Sequence, residues 1–254
     1  MLVLLSPAKS LNFATTPFNF EPTQPIFEKE VTRLVKQLQR LSSADIARLM
    51  DISPKLAALN FERYQQWGGQ PEGQKAAIMA FDGDVYDGLD AKKLLPEELK
   101  TAQKQVRILS GLYGVLRPFD LISPHRLEMG TTLQIDRHKN LYEFWGTKIA
   151  KQINQNMNEI GSTELLNLAS NEYFKSVDRK TFKGKIIQVD FKDLKNGSYK
   201  IISFYAKRAR GLMTRFVLQH GIDVPDDLKA FDLEGYHFAP TLSTNDHLIF
   251  TRDH

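Results

Sequence analysis

Four short runs, each giving way to a polar, sharply turning segment, do most to limit what this chain can fold into. Leu2–Leu5 is continuously apolar and ends in Ser6-Pro7-Ala8-Lys9-Ser10. Residues 106–109 read as another short buried strand, apolar but for Arg107, and end in Ser110-Gly111-Leu112-Tyr113-Gly114, then Val115-Leu116-Arg117-Pro118. Residues 165–169 run into Ser170-Asn171-Glu172-Tyr173-Phe174-Lys175. Residues 185–191 and 199–205 alternate apolar and polar around Asn196-Gly197, a strong hairpin signal, and the second of them leads into Ala206-Lys207-Arg208. Continuous apolar runs of this length are what buried strands require, because both faces of such a strand must be covered.

Helical patterns separate the strands. Residues 26–41 place Phe27, Val31, Leu34, Val35, Leu38 and Leu41 on one face and Arg33, Lys36 and Arg40 on the other. Ser43 is read as the cap of a short helix through Met50, and Ser53-Pro54 opens another that runs to about Trp67. Residues 76–81 read as a short strand, followed by an Asp82-Gly83-Asp84 turn. Helices follow from Pro96 to about Lys104, over 141–157 with a stop near Gly161, and over 213–220 with a stop at Gly221. The order predicts a mixed α/β fold, a sheet core with surrounding helices, as a single compact domain over residues 1–254. The two short helices of residues 43–67 form a candidate helix–hairpin–helix-like element, although their connection lacks the glycines that typify one.

In open α/β sheets, ligands bind outside the carboxyl ends of the strands. If the four runs are parallel neighbours, their ends gather Ser6, Lys9, Ser110, Tyr113, Asn171, Glu172, Lys207 and Arg208 into one polar, mostly cationic cleft. Lys9 beside Glu172 would then make an acid–base pair or a structural ion pair. No nucleophile elbow, dinucleotide fingerprint or phosphate-binding loop is present. The six histidines are scattered, so no metal site and no cofactor is expected. The absence of cysteine excludes disulfides, thiolate chemistry and iron–sulfur ligation. Met1 to Leu5 is too short for a secretory signal, and no apolar run could span a bilayer, so a cytoplasmic protein with no membrane contact is expected.

Charge points to a partner. Between Tyr173 and Arg215 twelve Lys and Arg face three Asp, a local +9 in a chain of net +4. Positive charge concentrated in this way suits a polyanion, since each phosphate contact releases condensed counterions. Lys207-Arg208-Ala209-Arg210, with Arg215 downstream, is its densest part. Lys55, at the start of the second short helix, and Arg63, two turns on, could add charge to a backbone grip at residues 43–67.

Several strings are specific enough to carry a resemblance. They are Ser6-Pro7-Ala8-Lys9, Leu56-Ala57-x-Leu59-Asn60 with Arg63, Gly83-Asp84-Val85-Tyr86-x-Gly88-Leu89, and the Leu109-to-Pro118 segment. Arg126-Leu127-Glu128-Met129-Gly130, Asn167-Leu168-Ala169-Ser170-x-Glu172-Tyr173-Phe174-Lys175 and the Ile201-to-Met213 segment complete the set. Together, from end to end, they resemble the YaaA-type peroxide stress proteins. The resemblance implies a distinctive α/β fold with a positively charged cleft and a helix–hairpin–helix-like element. It also implies a bacterial oxidative-stress role linked to limiting free iron and to DNA repair, with double-stranded and branched DNA as partners. It brings no settled catalytic activity. The expected nucleic-acid contacts are Lys9, Lys55, Arg63, Arg117, Lys175, Lys207, Arg208, Arg210 and Arg215. The alternative is an enzyme acting on a nucleotide, a base or a nucleic acid in the strand-end cleft.

Overall fold

The computed structural model describes residues 1–15, 18–69 and 73–253. Its main sheet has eight strands: β1 (Leu2–Leu5), β2 (Val106–Ser110), β3 (Gly114–Leu116), β4 (Glu164–Leu168), β5 (Lys185–Lys195), β6 (Ser198–Lys200), β7 (His237–Phe238) and β8 (His247–Arg252). Their order is β7-β8-β5-β4-β1-β2-β3, with β6 paired to β5. β1 is parallel to β2 and β4, β4 to β5, and β5 to β8. β3, β6 and β7 are antiparallel additions to β2, β5 and β8. Every residue of β1 and β2 is buried, as central strands require, and the buried Arg107 of β2 donates from Nε to the Asn156 Oδ1 at 2.8 Å.

The parallel pairs align the carboxyl ends of β1, β2, β4, β5 and β8 along one sheet edge. Leu5 is level with both Ile108 and Leu168. β5 starts beside Glu164 of β4 but is eleven residues long, so its far half projects past that edge. There β6 joins it through Asn196 and Gly197, both at positive φ as a two-residue hairpin turn requires.

The helices that matter below are α1 (Glu28–Leu38), α2 (Ser43–Met50), α3 (Pro54–Gln65), α4 (Asp84–Leu89), α5 (Pro96–Gln105), α6 (Leu141–Trp145), α7 (Lys148–Glu159) and α8 (Ser203–His220). α1 buries Val31, Leu34, Val35 and Leu38, the stripe read from its 3.6-residue period. α4 and α8 meet almost backbone to backbone. A Cβ on Gly88 would lie 2.1 Å from the carbonyl oxygen of Arg208, and one on Gly211 would lie 1.8 Å from that of Val85. Only glycine permits this approach. None of the described helices is long and apolar enough to cross a membrane.

Four boundaries differ from expectation. Residues 77–80 form a buried helical turn between the two-residue strands Lys75–Ala76 and Phe81–Asp82, and a short apolar run does not by itself distinguish these states. The helix expected over 141–157 breaks at Gly146, with φ 48°, into α6 and α7. The cap of α2 is Ser42, not Ser43: its Oγ accepts from the Asp45 amide at 3.1 Å, while the Asp45 carboxylate accepts from the Ser42 amide at 3.0 Å. The strand expected over 199–205 stops at Lys200, and α8 begins at Ser203. Docking of α8 on α4 outweighs the local alternation, so Lys207 and Arg208 lie on the helix that also carries Arg210 and Arg215, and not at a strand end.

Candidate functional site

The carboxyl ends of β1, β2 and β4 do converge. Pro7, Ala8 and Lys9 after β1, Ser110 at the end of β2, and Tyr173 after β4 line one small pocket with Phe81 and the segment His125-Arg126-Leu127-Glu128. It holds about 20 Å³, room for roughly one water molecule. Gly111 makes the closure possible, because a Cβ there would stand 2.3 Å from the carbonyl oxygen of Leu127. Its role is close approach; the positive φ in this turn belongs to Gly114, at 72°.

Most polar groups of the site are already engaged. The Ser6 Oγ accepts from the Ser170 amide at 2.8 Å and donates to the Ser170 Oγ at 3.3 Å. The buried Ser110 Oγ accepts from the Tyr113 amide at 3.1 Å. The Tyr113 hydroxyl accepts from the Ser123 amide at 2.9 Å. Lys9 pairs with Glu128 at 2.8 Å, not with Glu172 as the sequence suggested. Glu128 also takes Arg126, at 2.7 Å, so one carboxylate serves two cations. Glu172 instead accepts from the Gly130 amide at 2.9 Å, and the Tyr142 hydroxyl donates to the Glu172 carbonyl at 3.0 Å. Asn171 is exposed at the start of the one-turn helix Asn171–Phe174. Burial, reinforced by the Glu172 and Glu128 carboxylates, pushes the Tyr173 phenol well up, so it is a neutral hydrogen-bonding group.

His125 belongs to the pocket, although its isolation in sequence gave no signal beyond its place before the Arg126–Glu128 string. Burial holds its pKa down at about 4, and the nearby Arg63 charge adds to this; a hydrogen bond to the Ser123 carbonyl, at 2.8 Å, acts in the opposite sense. At neutral pH it is an uncharged imidazole packed edge-on to Tyr113, with ring centroids 5.1 Å apart. α3 forms the adjoining wall: the Tyr64 hydroxyl donates to the Arg126 carbonyl at 2.6 Å, and the Trp67 and Tyr113 rings lie 6.4 Å apart. The 43–67 pair of helices is thus anchored to the pocket through α3, and Lys55 is left exposed at that helix's start. Among the described residues no three His, Cys, Asp or Glu side chains cluster as metal ligands.

The other nominated cations fall into two kinds. Arg208 makes a two-pronged contact with Glu234, through Nε at 2.9 Å and Nη2 at 2.6 Å. Arg215 donates to the Leu89 carbonyl at 2.9 Å and lies 3.4 Å from Asp90. Arg210 is largely sequestered, and burial lowers its pKa. Arg117 follows β3, which runs antiparallel to β2, so it sits at the opposite sheet edge from Lys9 and Ser110. There it binds the fully buried Asp120 and the Gln24 carbonyl. Lys175 is exposed, with its ammonium 4.9 Å from the centroid of the Tyr142 ring. Lys207 is exposed on α8. α8 reaches the carboxyl edge through α4: the Arg208 carbonyl abuts Gly88, and the α4 residue Tyr86 donates to the Ser6 carbonyl at 3.1 Å. α4 thus links α8 to the segment after β1, whereas Arg117 lies toward the opposite sheet edge.

Sequence comparison supplies the kinship. A UPF0246 protein of Dechloromonas aromatica is 52% identical over 254 residues, covering 99% of each chain. One from Bordetella petrii is 50% identical over 254 residues, again 99% of each, and one from Aliivibrio fischeri is 49% identical over 255 residues, covering 100% of this chain and 98% of its own. The family model described as peroxide stress protein YaaA matches residues 1–242. With that match spanning nearly the whole chain, the protein belongs to the YaaA family of peroxide stress proteins.

Proposed function

We propose that this protein acts in the peroxide stress response by binding DNA through backbone contacts that tolerate any sequence, with duplex and branched DNA as ligands, in a response that also limits free iron and repairs DNA. The observation that carries this reading is the +9 concentrated between Tyr173 and Arg215. Phosphate contacts position a protein without reading bases, and lysines and arginines on a shared side suffice for them. Exposed Lys9, Lys55, Lys175 and Lys207 are the cations best placed to act, together with the reachable parts of Arg63, Arg208 and Arg215. Because several arginines already have carboxylate partners, the affinity is moderate and depends strongly on salt. Titrating a labelled duplex at several salt concentrations tests this. The expected result is a steep negative slope of log affinity against log salt, with little difference between scrambled sequences. A slope near zero, or a strong preference for one sequence, rules the reading out.

A second reading, an enzyme acting on a nucleotide or base, draws on Ser110, His125, Tyr173, Lys9 and Glu128 lining one pocket. It is tested by Ser110→Ala: peroxide protection lost while DNA affinity and melting temperature stay intact would favour catalysis.

A further inference from the structure

The tip of the β5–β6 hairpin and the first turn of α8 expose large apolar side chains, although the Tyr199 hydroxyl donates to the Asp253 carboxylate at 2.7 Å and the Phe204 and Tyr205 ring centroids lie 3.9 Å apart. Tyr199 is 40% exposed, Ile201 51% and Phe204 54%. Only Ile201 and Ile202 separate β6 from α8, so chain length alone keeps the three within a few residues' span, about 3.6 Å each. Lys207 lies three positions after Phe204 on α8, hence beside it on the helix surface. Lys195 and Lys200 are exposed on the ribbon, whose two strands are about 4.8 Å apart. Tyr199 lies across the ribbon from Leu194, while Lys195 and Lys200 project from the other face, so apolar and cationic groups border the same narrow tip. Among the described residues, no carboxylate lies within 4 Å of the ammonium groups of Lys195, Lys200 or Lys207.

We infer that this tip binds unpaired nucleotides, Phe204 stacking on a base with Tyr199 and Ile201 beside it, while Lys195, Lys200 and Lys207 hold the flanking phosphates. The inference rests on the DNA-binding reading and names the form of nucleic acid that this part of the surface takes. Phosphate contact alone gives no use for exposed rings. A duplex keeps the faces of its bases stacked inside, whereas a single strand offers them, and stacking of that kind is indifferent to sequence. A second copy of the chain is disfavoured as occupant, because two identical lysine-rich tips repel and lysines on an edge strand block strand pairing.

The test compares an oligo-dT 15-mer with a 15-base-pair duplex, binding each to wild type, Phe204→Ala, Phe204→Trp and Ile201→Ser. Phe204→Ala is expected to weaken oligo-dT binding about tenfold, to leave duplex affinity within about twofold, and to melt at the wild-type temperature. Phe204→Trp, which keeps a stacking face, should retain oligo-dT affinity. If Phe204→Ala melts early, Ile201→Ser and Phe204→Trp decide instead, with weaker oligo-dT binding expected in the first and wild-type binding in the second. Equal losses on both DNAs, or no loss on oligo-dT, overturn the inference while leaving duplex binding intact. Absence of duplex binding by the wild type instead sinks the broader DNA reading. Phe204-dependent binding to anionic phosphatidylglycerol vesicles without oligo-dT binding, or Phe204-dependent self-association in sedimentation, also overturns it by naming a different occupant.

Discussion

Arg208 and Lys207 are neighbours in sequence but belong to electrostatically different regions. Lys9, Arg117, Arg208 and Arg215 each come with a carboxylate of the same chain. Lys195, Lys200 and Lys207, around the hairpin tip, are exposed and have no such partner among the described residues. Net charge counts both sets alike, but a polyanion does not. A cation already bound to a carboxylate must give up that contact, or share it, before it meets a phosphate. On the DNA-binding proposal, the paired arginines then contribute chiefly to the fold and less to association than the unpaired lysines, while Lys9, whose side chain is 64% exposed, stays reachable.

The sharpest way to break this division is to remove a carboxylate from the paired set. Asp120 is fully buried and accepts from the Arg117 Nε at 3.0 Å, the Arg117 amide at 2.8 Å and the Thr23 hydroxyl at 2.6 Å. Asp120→Ala strands Arg117 and should cost about 3–5 kcal/mol, read as a lowered midpoint in urea. A loss below about 1 kcal/mol would show that the paired arginines are not structural.

Next in size is acid sensitivity at the pocket. The His125 pKa falls from 6.5 to about 4 on folding, so the unfolded chain binds the extra proton between those values. Stability is then full above about pH 6.5 and declines as pH falls toward 4, by up to about 3 kcal/mol at 1.36 kcal/mol per pKa unit. Melting curves of His125→Gln should lack this part of the pH dependence.

Association separates the two sets more finely. Lys195→Ala with Lys200→Ala and Lys207→Ala should flatten the log–log salt slope of DNA binding by about 2 to 3, near 0.9 for each phosphate no longer neutralised. Arg208→Ala, whose head is held by Glu234, should change it by less than about 0.5 on the same scale. Equal changes per residue would erase the distinction between the regions. The smallest effect is expected at the pocket's uncharged contacts. Ser110→Ala should leave DNA affinity unchanged, and Glu172→Gln should as well, apart from about 1 kcal/mol of stability from its bond to the Gly130 amide.

How far the chain could be read follows from how local each signal is. β1 was legible to the residue, as were the Asn196-Gly197 turn and the Ser53-Pro54 start of α3, because each depends on side chains within a few positions. The convergence of Ser6, Ser110 and the Ser170–Tyr173 segment followed from the rule for parallel strands once those strands were identified. The start of α8 was misread because its helix is secured by contact with α4, more than a hundred residues earlier in the chain. The position of Arg117 away from Ser110 was not legible, because β3 reverses direction, a matter of pairing that no property of Val115 or Leu116 reveals.

The sequence by itself determined the buried strands, the amphipathic helices, the family and the excess of positive charge. These depend on residue type, spacing and counting, which are fixed before the chain folds. Only the tertiary structure decided which charges remain available. Glu128 rather than Glu172 meets Lys9, Glu234 meets Arg208, and Asp120 meets Arg117, while Lys207 is left exposed. Ion pairing depends on separations of a few ångströms between residues more than a hundred positions apart, as for Lys9 and Glu128, and only the folded backbone sets those distances.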